Sequence, residues 1–291
     1  MIHPKAIIEK GVILGEDVSI GPYAYLESGV HLGKGVKVSA FAHLRANTYI
    51  GDNTFIGSGS VIGEVPQMID AGAEKGKVYI GKDNIIREYV TINCSSFSDK
   101  ATSLGDGNFL MACSHVAHDC KIANNVVICN GTLIAGHIEI GDKAFISGNV
   151  TVHQFVKIGR LAMIGGLSRI NQDVPPFMMV VGDSKVWGLN LIGLKRADFS
   201  KGEISQIRKA YKILYRKELL LKSALDELGK LDSLVVKEII VFILSSKRGI
   251  CGPKRSSLWE KLFLDYPYFI RRKIPTYESI MKFDPSKFDK G

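Results

Sequence analysis

Aliphatic residues recur at every sixth position through most of the first 173 residues. The chain divides into blocks of six, and the third residue of each block is aliphatic across 6–65, 78–95 and 102–173. An α-helix does not use this period, because its apolar face recurs every 3.6 residues. Short strands separated by tight corners do, with the aliphatic side chain inward and its neighbours outward. The period predicts a mainly β fold, a parallel β-helix whose stacked coils bury one aliphatic column.

Two interruptions of the repeat are predicted to be loops, at 66–77 and 96–101. They follow the tenth and the thirteenth block of six. If three blocks make one coil, both loops leave the same face of the β-helix. A β-sandwich of alternating strands is not expected to hold a six-residue phase for so long.

The C-terminal part of the chain has helical rather than six-residue spacing. Ser200 and Glu203 form a capping-box pattern that predicts a helix through Tyr215, and apolar spacing predicts further helices near 218–229 and 233–245. We therefore predict three parts. They are a β-helix catalytic domain (1–185), a small helical domain (186–255) and a basic, aromatic tail (256–291).

Charge is concentrated in the last third of the chain. The net charge is +9, and residues 201–291 hold 20 Lys and Arg against 11 Asp and Glu, so this part carries the whole excess. Such a region favours an acidic partner. Its helix faces supply candidate contacts: Arg208, Lys209, Lys212, Arg216 and Lys217. An ordinary solvated helix face is the alternative.

Cysteine usage and hydropathy indicate a cytoplasmic protein. The five cysteines show no CxxC spacing, which is typical of reduced thiols. The longest dense apolar run is the six residues 239–244, whereas a membrane-spanning helix needs roughly 20, so no span is predicted. In the tail, aromatic and basic residues alternate in a way that suits a membrane surface or a nucleic acid. We expect the tail to cover the protein's own flank instead, and we predict no nucleic-acid partner.

Four histidines fall within 39 residues and share the face that carries both loops. They are His115, His118, His137 and His153. Three neutral imidazoles hold zinc in some catalytic sites. Alternatively, one imidazole acts as a general base oriented by a carboxylate, and Asp119 directly follows His118. Solvated surface histidines are the third possibility, and the pattern favours a site.

Several motifs resemble the UDP-N-acetylglucosamine 3-O-acyltransferases of lipid A biosynthesis. They are HVAHDC (115–120), LIAGH (133–137), VHQF (152–155), QDVPPF (172–177) and GLNLIGLKR (188–196). Members of this family are hexapeptide-repeat transferases with left-handed, three-sided coils. The resemblance covers about residues 1–250 and implies a left-handed parallel β-helix followed by a small α-helical domain.

The resemblance also implies roles for individual residues. By it, His118 is the general base, Asp119 positions the base, and the backbone N–H of Gly136 stabilises the oxyanion. Gly166 leaves the groove open for a 3-hydroxyacyl chain of about fourteen carbons, each methylene contributing ~0.8 kcal/mol on burial. The other implied substrate-binding residues are Gln67, His115, His137, His153, Gln154, Asn190 and Arg196.

The implied reaction moves a 3-hydroxyacyl chain from acyl carrier protein to the 3-position of UDP-N-acetylglucosamine. It needs no cofactor and no metal, and the family implies a homotrimer. Four positions depart from the family pattern: Met68, Asn93, Ile192 and Ala197. They leave a different nucleotide (amino) sugar as the alternative acceptor. A zinc lyase on the same fold and a non-enzymatic interaction module are the alternatives from other classes.

Overall fold

Short parallel strands stack into three sheets in this computed structural model, which describes residues 1–69 and 76–254. The first sheet has nine strands. They are β1 (Ile7–Ile8), β4 (Tyr25–Leu26), β7 (His43–Leu44), β10 (Val61–Glu64), β13 (Thr91–Asn93), β16 (His115–Val116), β19 (Leu133–Ile134), β22 (Thr151–Val152) and β25 (Arg169–Ile170).

The second sheet has eight strands. They are β2 (Ile13–Leu14), β5 (His31–Leu32), β8 (Thr48–Ile50), β11 (Lys77–Ile80), β14 (Ala101–Leu104), β17 (Lys121–Ile122), β20 (Glu139–Ile140) and β23 (Lys157–Ile158).

The third sheet has eleven strands. They are β3 (Ser19–Ile20), β6 (Lys37–Val38), β9 (Phe55–Ile56), β12 (Ile85–Ile86), β15 (Phe109–Leu110), β18 (Val127–Ile128), β21 (Phe145–Ile146), β24 (Met163–Ile164), β26 (Met178–Val181), β27 (Lys185–Leu189) and β28 (Gly252–Pro253).

One aliphatic column fills the space enclosed by the three sheets. The third residue of the repeat lies inward, and Leu44, Ile92 and Ile134 are among its fully buried members. Within the repeat, each strand pairs in parallel with the equivalent strand of the next coil, as Val116 does with Ile134, whereas β26 and β27 pair antiparallel. The coils wind in the left-handed sense, against the usual preference of parallel crossovers. The predicted β-helix is confirmed.

The corners of the coils use the left-handed backbone conformation at a fixed position. At the corner between the first and second sheets, Asp119, His137 and Phe155 have φ values of 61°, 60° and 66°. The His137 N–H donates to His118 O, and the Phe155 N–H donates to Gly136 O. Equivalent residues of successive coils therefore lie one above another along this edge.

Both interruptions of the repeat leave the first sheet, as predicted. The first insertion lies between β10 and β11, and the second lies between β13 and β14. Each thus connects the first sheet to the second at the corner that later carries the histidines.

Four helices follow the β-helix: α1 (Leu191–Arg196), α2 (Lys201–Arg216), α3 (Leu221–Gly229) and α4 (Leu234–Ser245). The predicted capping box is present, with Ser200 and Glu203 bonded reciprocally. Within the described residues, no helix has the length and apolarity needed to cross a membrane. The chain from Met1 to Lys254 forms one compact unit, and the division at residue 185 stays a prediction. The predicted tail 256–291 lies outside the described residues.

Candidate active site

The four histidines lie on three successive coils at the corner between the first and second sheets. His115 is in β16, and His118 is in the turn that follows it. His137 is in the turn after β19, and His153 directly follows β22. The prediction that the repeat aligns these residues along one edge is confirmed.

His118 and Asp119 form a hydrogen-bonded pair inside this corner. His118 Nδ1 lies 2.7 Å from Asp119 Oδ2, and only 8% of His118 is exposed. Since a carboxylate only accepts hydrogen bonds, Nδ1 carries the proton and donates it. The lone pair of a neutral His118 is then on Nε2. This is the tautomer that a histidine general base requires.

The second insertion supplies further donors to the Asp119 carboxylate. Ser95 Oγ donates to Oδ1 at 2.5 Å, and Ser96 Oγ donates to Oδ2 at 2.6 Å. Burial alone raises the pKa of Asp119, but the hydrogen bonds from Ser95, Ser96 and His118 hold it below its usual value. Asp119 is therefore ionised at neutral pH. We did not predict these serines from the sequence.

His137 contacts the pair from the next coil. Its ring packs edge-on against His118 with centroids 5.0 Å apart, and it stacks on Phe155 at 4.6 Å. Burial lowers the pKa of His137, the Asp119 charge opposes this, and the charges of His118 and Lys100 lower it further. His137 is consequently neutral at neutral pH, with one ring nitrogen to donate and one to accept.

The two remaining histidines differ in exposure. His115 Nδ1 lies 2.7 Å from Thr91 Oγ1, and burial, followed by the charge of His118, lowers the pKa of His115. His153 is exposed, and its Nδ1 lies 3.1 Å from the backbone oxygen of Gln154. Thr91 and Phe155 therefore also lie along this edge. The sequence analysis did not identify them as site residues.

Gly136 lies directly against the His118 ring. A Cβ atom at this position would come within 2.7 Å of His118 Cε1, so a side chain would force the imidazole to move. Among the described residues, the Gly136 N–H has no hydrogen-bond acceptor. A backbone donor beside the imidazole is thus free to bind a negatively charged oxygen.

Three of the predicted substrate-binding residues lie at other corners or elements. Gly166 is at the corner between the third and first sheets, where an added Cβ would meet nothing closer than Gly148 O at 3.4 Å. Asn190 caps α1, with Oδ1 accepting from Gly193 and Nδ2 donating to Leu161 O. Arg196 ends α1. Within one chain, the structure does not bring these residues to the His118 corner.

The first insertion begins beside the histidine edge, and Gln67 lies in it. The chain just before this insertion is held by Asn93, which is 1% exposed. Asn93 Nδ2 donates to the backbone oxygens of Glu64 and Val65. The other departures from the family pattern, Met68, Ile192 and Ala197, are on the surface or at a helix end. Asn93 therefore fixes the backbone just before the first insertion.

Three side chains at the corner are close enough to hold a metal ion. Ligand atoms of His118, Asp119 and His137 lie within 4.8 Å of one another. The Asp119 carboxylate, however, already accepts hydrogen bonds from His118 and from two serine hydroxyls. A metal at Oδ2 would have to displace these donors, so the geometry favours the general-base arrangement over a zinc site.

Three family models match parts of this chain. Residues 173–251 match domain 2 of the UDP-N-acetylglucosamine O-acyltransferases. Residues 29–64 and 101–136 match the bacterial transferase hexapeptide (six repeats), and residues 6–40 match the hexapeptide repeat of succinyl-transferase.

Curated relatives are named acyl-[acyl-carrier-protein]--UDP-N-acetylglucosamine O-acyltransferase. The Gloeothece citriformis protein is 51% identical over 62% of this chain and 66% of its own length. The Burkholderia orbicola protein is 46% identical over 86% of this chain and 98% of its own. The Campylobacter concisus protein is 39% identical over 86% of this chain and 96% of its own length.

Solved structures agree with these relatives. A UDP-N-acetylglucosamine acyltransferase from Bacteroides fragilis superposes with a TM-score of 0.83 at 38% identity, over 86% of this chain and 99% of that one. The Campylobacter jejuni enzyme superposes with a TM-score of 0.82 at 39% identity, over 87% and 99%. With both the repeat domain and the helical segment matched, the chain belongs to the UDP-N-acetylglucosamine O-acyltransferase family.

Proposed function

We propose that this chain transfers a 3-hydroxyacyl group from acyl carrier protein to the 3-hydroxyl of UDP-N-acetylglucosamine, in lipid A biosynthesis. The observation that carries the proposal is the His118–Asp119 pair with the free N–H of Gly136 beside it. The names of the relatives give the same donor and acceptor. These names do not favour the alternative acceptor, a different nucleotide (amino) sugar.

In the proposed reaction, His118 Nε2 takes the proton of the sugar 3-hydroxyl while that oxygen attacks the thioester carbon. A C–O bond forms, and the negative charge on the carbonyl oxygen is stabilised by the Gly136 N–H. Collapse breaks the C–S bond, and His118 returns the proton to the leaving thiol of the carrier protein. The thioester supplies the driving force, so the proposed reaction needs no cofactor.

The neighbouring residues are proposed to bind the two substrates. His115 and His137 are uncharged at neutral pH and suit the hydroxyl groups of a sugar. His153, Gln154 and Gln67 are proposed to add further contacts to the substrates. Gly166 is proposed to leave room for a long acyl chain, because it has no side chain where an added Cβ would contact Gly148 O at 3.4 Å.

We further propose that the active assembly is a homotrimer. From Phe109 to Met163 the outward column of the third sheet is apolar, with Val127 and Phe145 between them. From Lys121 to Lys157 the equivalent column of the second sheet is polar and includes Glu139. Gly166 and His118 occupy different corners and Asn190 caps α1, so a groove that uses all three needs a neighbouring chain.

The proposed location is the cytoplasm. Within the described residues none of the five cysteines forms a disulfide, and burial raises the pKa of Cys120 to about 12 and that of Cys129 to about 11. Protonated thiols outside any disulfide suit a reducing compartment.

The proposed function is tested by incubating the protein with 3-hydroxyacyl carrier proteins of several chain lengths and a panel of UDP-sugars, with products measured by mass spectrometry. We expect 3-O-acylated UDP-N-acetylglucosamine, formed fastest from long chains. His118→Ala should lower kcat by about 10²–10⁴, the typical contribution of a general base. His31→Ala, on the second sheet away from this corner, is the matched control and should keep its activity. A folded, fully active His118→Ala protein would contradict the mechanism.

A further inference from the structure

Asp119 accepts hydrogen bonds from Ser95, the last residue of its block of six, and from Ser96, the first residue of the second insertion. Ser95 is fully buried, and its hydroxyl donates to Asp119 Oδ1. Ser96 donates twice to Oδ2, through its hydroxyl at 2.6 Å and through its backbone N–H at 3.3 Å. Together with His118 Nδ1, four donors saturate one carboxylate. The backbone N–H of Asp119 is in turn fixed by Thr102 Oγ1 at 2.8 Å.

The two serines are themselves held in place by the end of the first insertion. The Gly76 N–H donates to Ser95 O, and the Ser95 N–H donates to Lys77 O. A Cβ atom on Gly76 would come within 2.6 Å of Ser95 Cβ and within 2.4 Å of Phe97 O. The Phe97 N–H also donates to Ser95 Oγ. Only a glycine at position 76 permits this approach, which fixes the Ser95 hydroxyl against Asp119.

We propose that Ser95 and Ser96 are positioning residues, which orient the Asp119 carboxylate and thereby hold His118 in its base-competent tautomer. The inference rests on the proposed function and assigns to the second insertion a role within it. A carboxylate bonded only to His118 would be free to rotate about its Cβ–Cγ bond. With both oxygens engaged by hydroxyls, Oδ2 stays in line with His118 Nδ1.

The two serine hydroxyls also change the strength of the hydrogen bond between His118 and Asp119. Hydroxyl groups that donate to a carboxylate share its negative charge and reduce its pull on the His118 proton. The charged or titratable groups that face this corner from neighbouring elements are His115, His137 and Lys100.

The test compares Ser95→Ala, Ser96→Ala and the double variant with wild type. Ser103→Ala is the matched control, because Ser103 lies in β14 and its hydroxyl makes no hydrogen bond with the described residues. We expect kcat to fall about tenfold in each single variant and about a hundredfold in the double variant, since each substitution removes a hydrogen bond to a charged group. KM for the UDP-sugar should change less than about threefold. Ser96→Thr, which keeps the hydroxyl, should restore most of the activity.

Two readouts separate positioning from a structural role. In the double variant, ¹⁵N NMR should show loss of the His118 Nδ1–H tautomer, and the loss of activity should lie in kcat rather than in KM. A double variant that is folded, with wild-type kcat and an unchanged tautomer, would overturn the proposal. If wild type transfers no acyl group, the proposed function fails. The NMR measurement still decides whether the serines hold the tautomer.

Discussion

At the scale of the residue, the site depends on imidazoles that burial keeps uncharged. Burial is the largest cause of the lowered pKa of both His115 and His137. In the unfolded chain these groups take up protons near pH 6.5, whereas in the folded protein they do so at lower pH. The unfolded state therefore binds more protons below pH 6.5, and folding stability must fall as the pH is lowered through this range.

This linkage predicts that the urea midpoint falls when the pH is lowered from 7.5 to 5.5. In His115→Gln the fall should be smaller, because one buried titrating group has been removed. His153→Gln is the control, since His153 is exposed, and it should show the wild-type dependence. Asp119 does not contribute to the pH dependence between pH 7.5 and 5.5. Its pKa in the folded protein is lowered from 3.8, so the stability that its ionised form provides is lost below pH 3.8. An identical pH dependence in His115→Gln and wild type would show that His115 is not the group responsible.

Residues within the repeat could be predicted from the sequence, whereas residues within the insertions could not. His118 and His137 lie in blocks of six that are three blocks apart, and three blocks make one coil, so their proximity follows from the period. Ser95 and Ser96 adjoin a segment where the period is broken, and no rule of spacing places them against Asp119. Asn190 was assigned to the substrate by resemblance, yet its amide caps a helix in the structure.

At the scale of the element, one arginine links the β-helix to the helical segment. Arg160, in the corner after β23, donates through Nε and Nη2 to both carboxylate oxygens of Glu238 in α4, at 3.0 and 2.7 Å. Its guanidinium also lies 5.1 Å from the Phe177 ring and 5.2 Å from the Phe199 ring. Such a bidentate pair, packed between aromatic rings, fixes α4 against the coils more firmly than a solvated ion pair.

We therefore expect Arg160→Ala to lower the free energy of unfolding by about 2 kcal/mol. Arg169→Ala is a close control, because Arg169 forms a similar two-point contact with Asp183 but is largely exposed. It should cost clearly less than Arg160→Ala, because a solvated ion pair contributes little to stability. Chemical denaturation followed by circular dichroism measures both, and equal losses in the two variants would contradict the assigned link.

The helices and strands differ in how far the sequence predicted them. α2 was predicted together with its cap, because the capping box and the apolar spacing agree. The antiparallel pair β26 and β27 was missed, since the six-residue phase ends at Asp173 and these longer strands follow no repeat. α1 is six residues long, too short for a helical period to be recognised.

At the scale of the whole molecule, the three faces of the coil differ in chemistry although they share one backbone pattern. Phe145 is paired with Val127 on one side and with Met163 on the other, so apolar side chains form a continuous outward column on the third sheet. On the second sheet, Lys121, Glu139 and Lys157 are paired in the same way. A difference of this kind suits one face to contact another chain and the other face to contact water.

If the third sheet is the trimer contact, a charge placed in its column should dissociate the assembly. Phe145→Glu is expected to shift the protein from trimer to monomer in sedimentation velocity, and activity should fall with it. Lys121→Glu introduces the same charge on the second sheet and should remain trimeric. A trimeric Phe145→Glu protein would move the contact to another face.

The corner that Asp119, His137 and Phe155 share has a consequence for how such enzymes diverge. Each of these residues has the same backbone conformation, and the backbone N–H groups of His137 and Phe155 bond to the backbone of the coil before them, so replacing a side chain leaves the path of the main chain unchanged. Chemical groups along the edge are therefore exchangeable one coil at a time. New acceptors or new reactions become accessible through single substitutions, without a new fold.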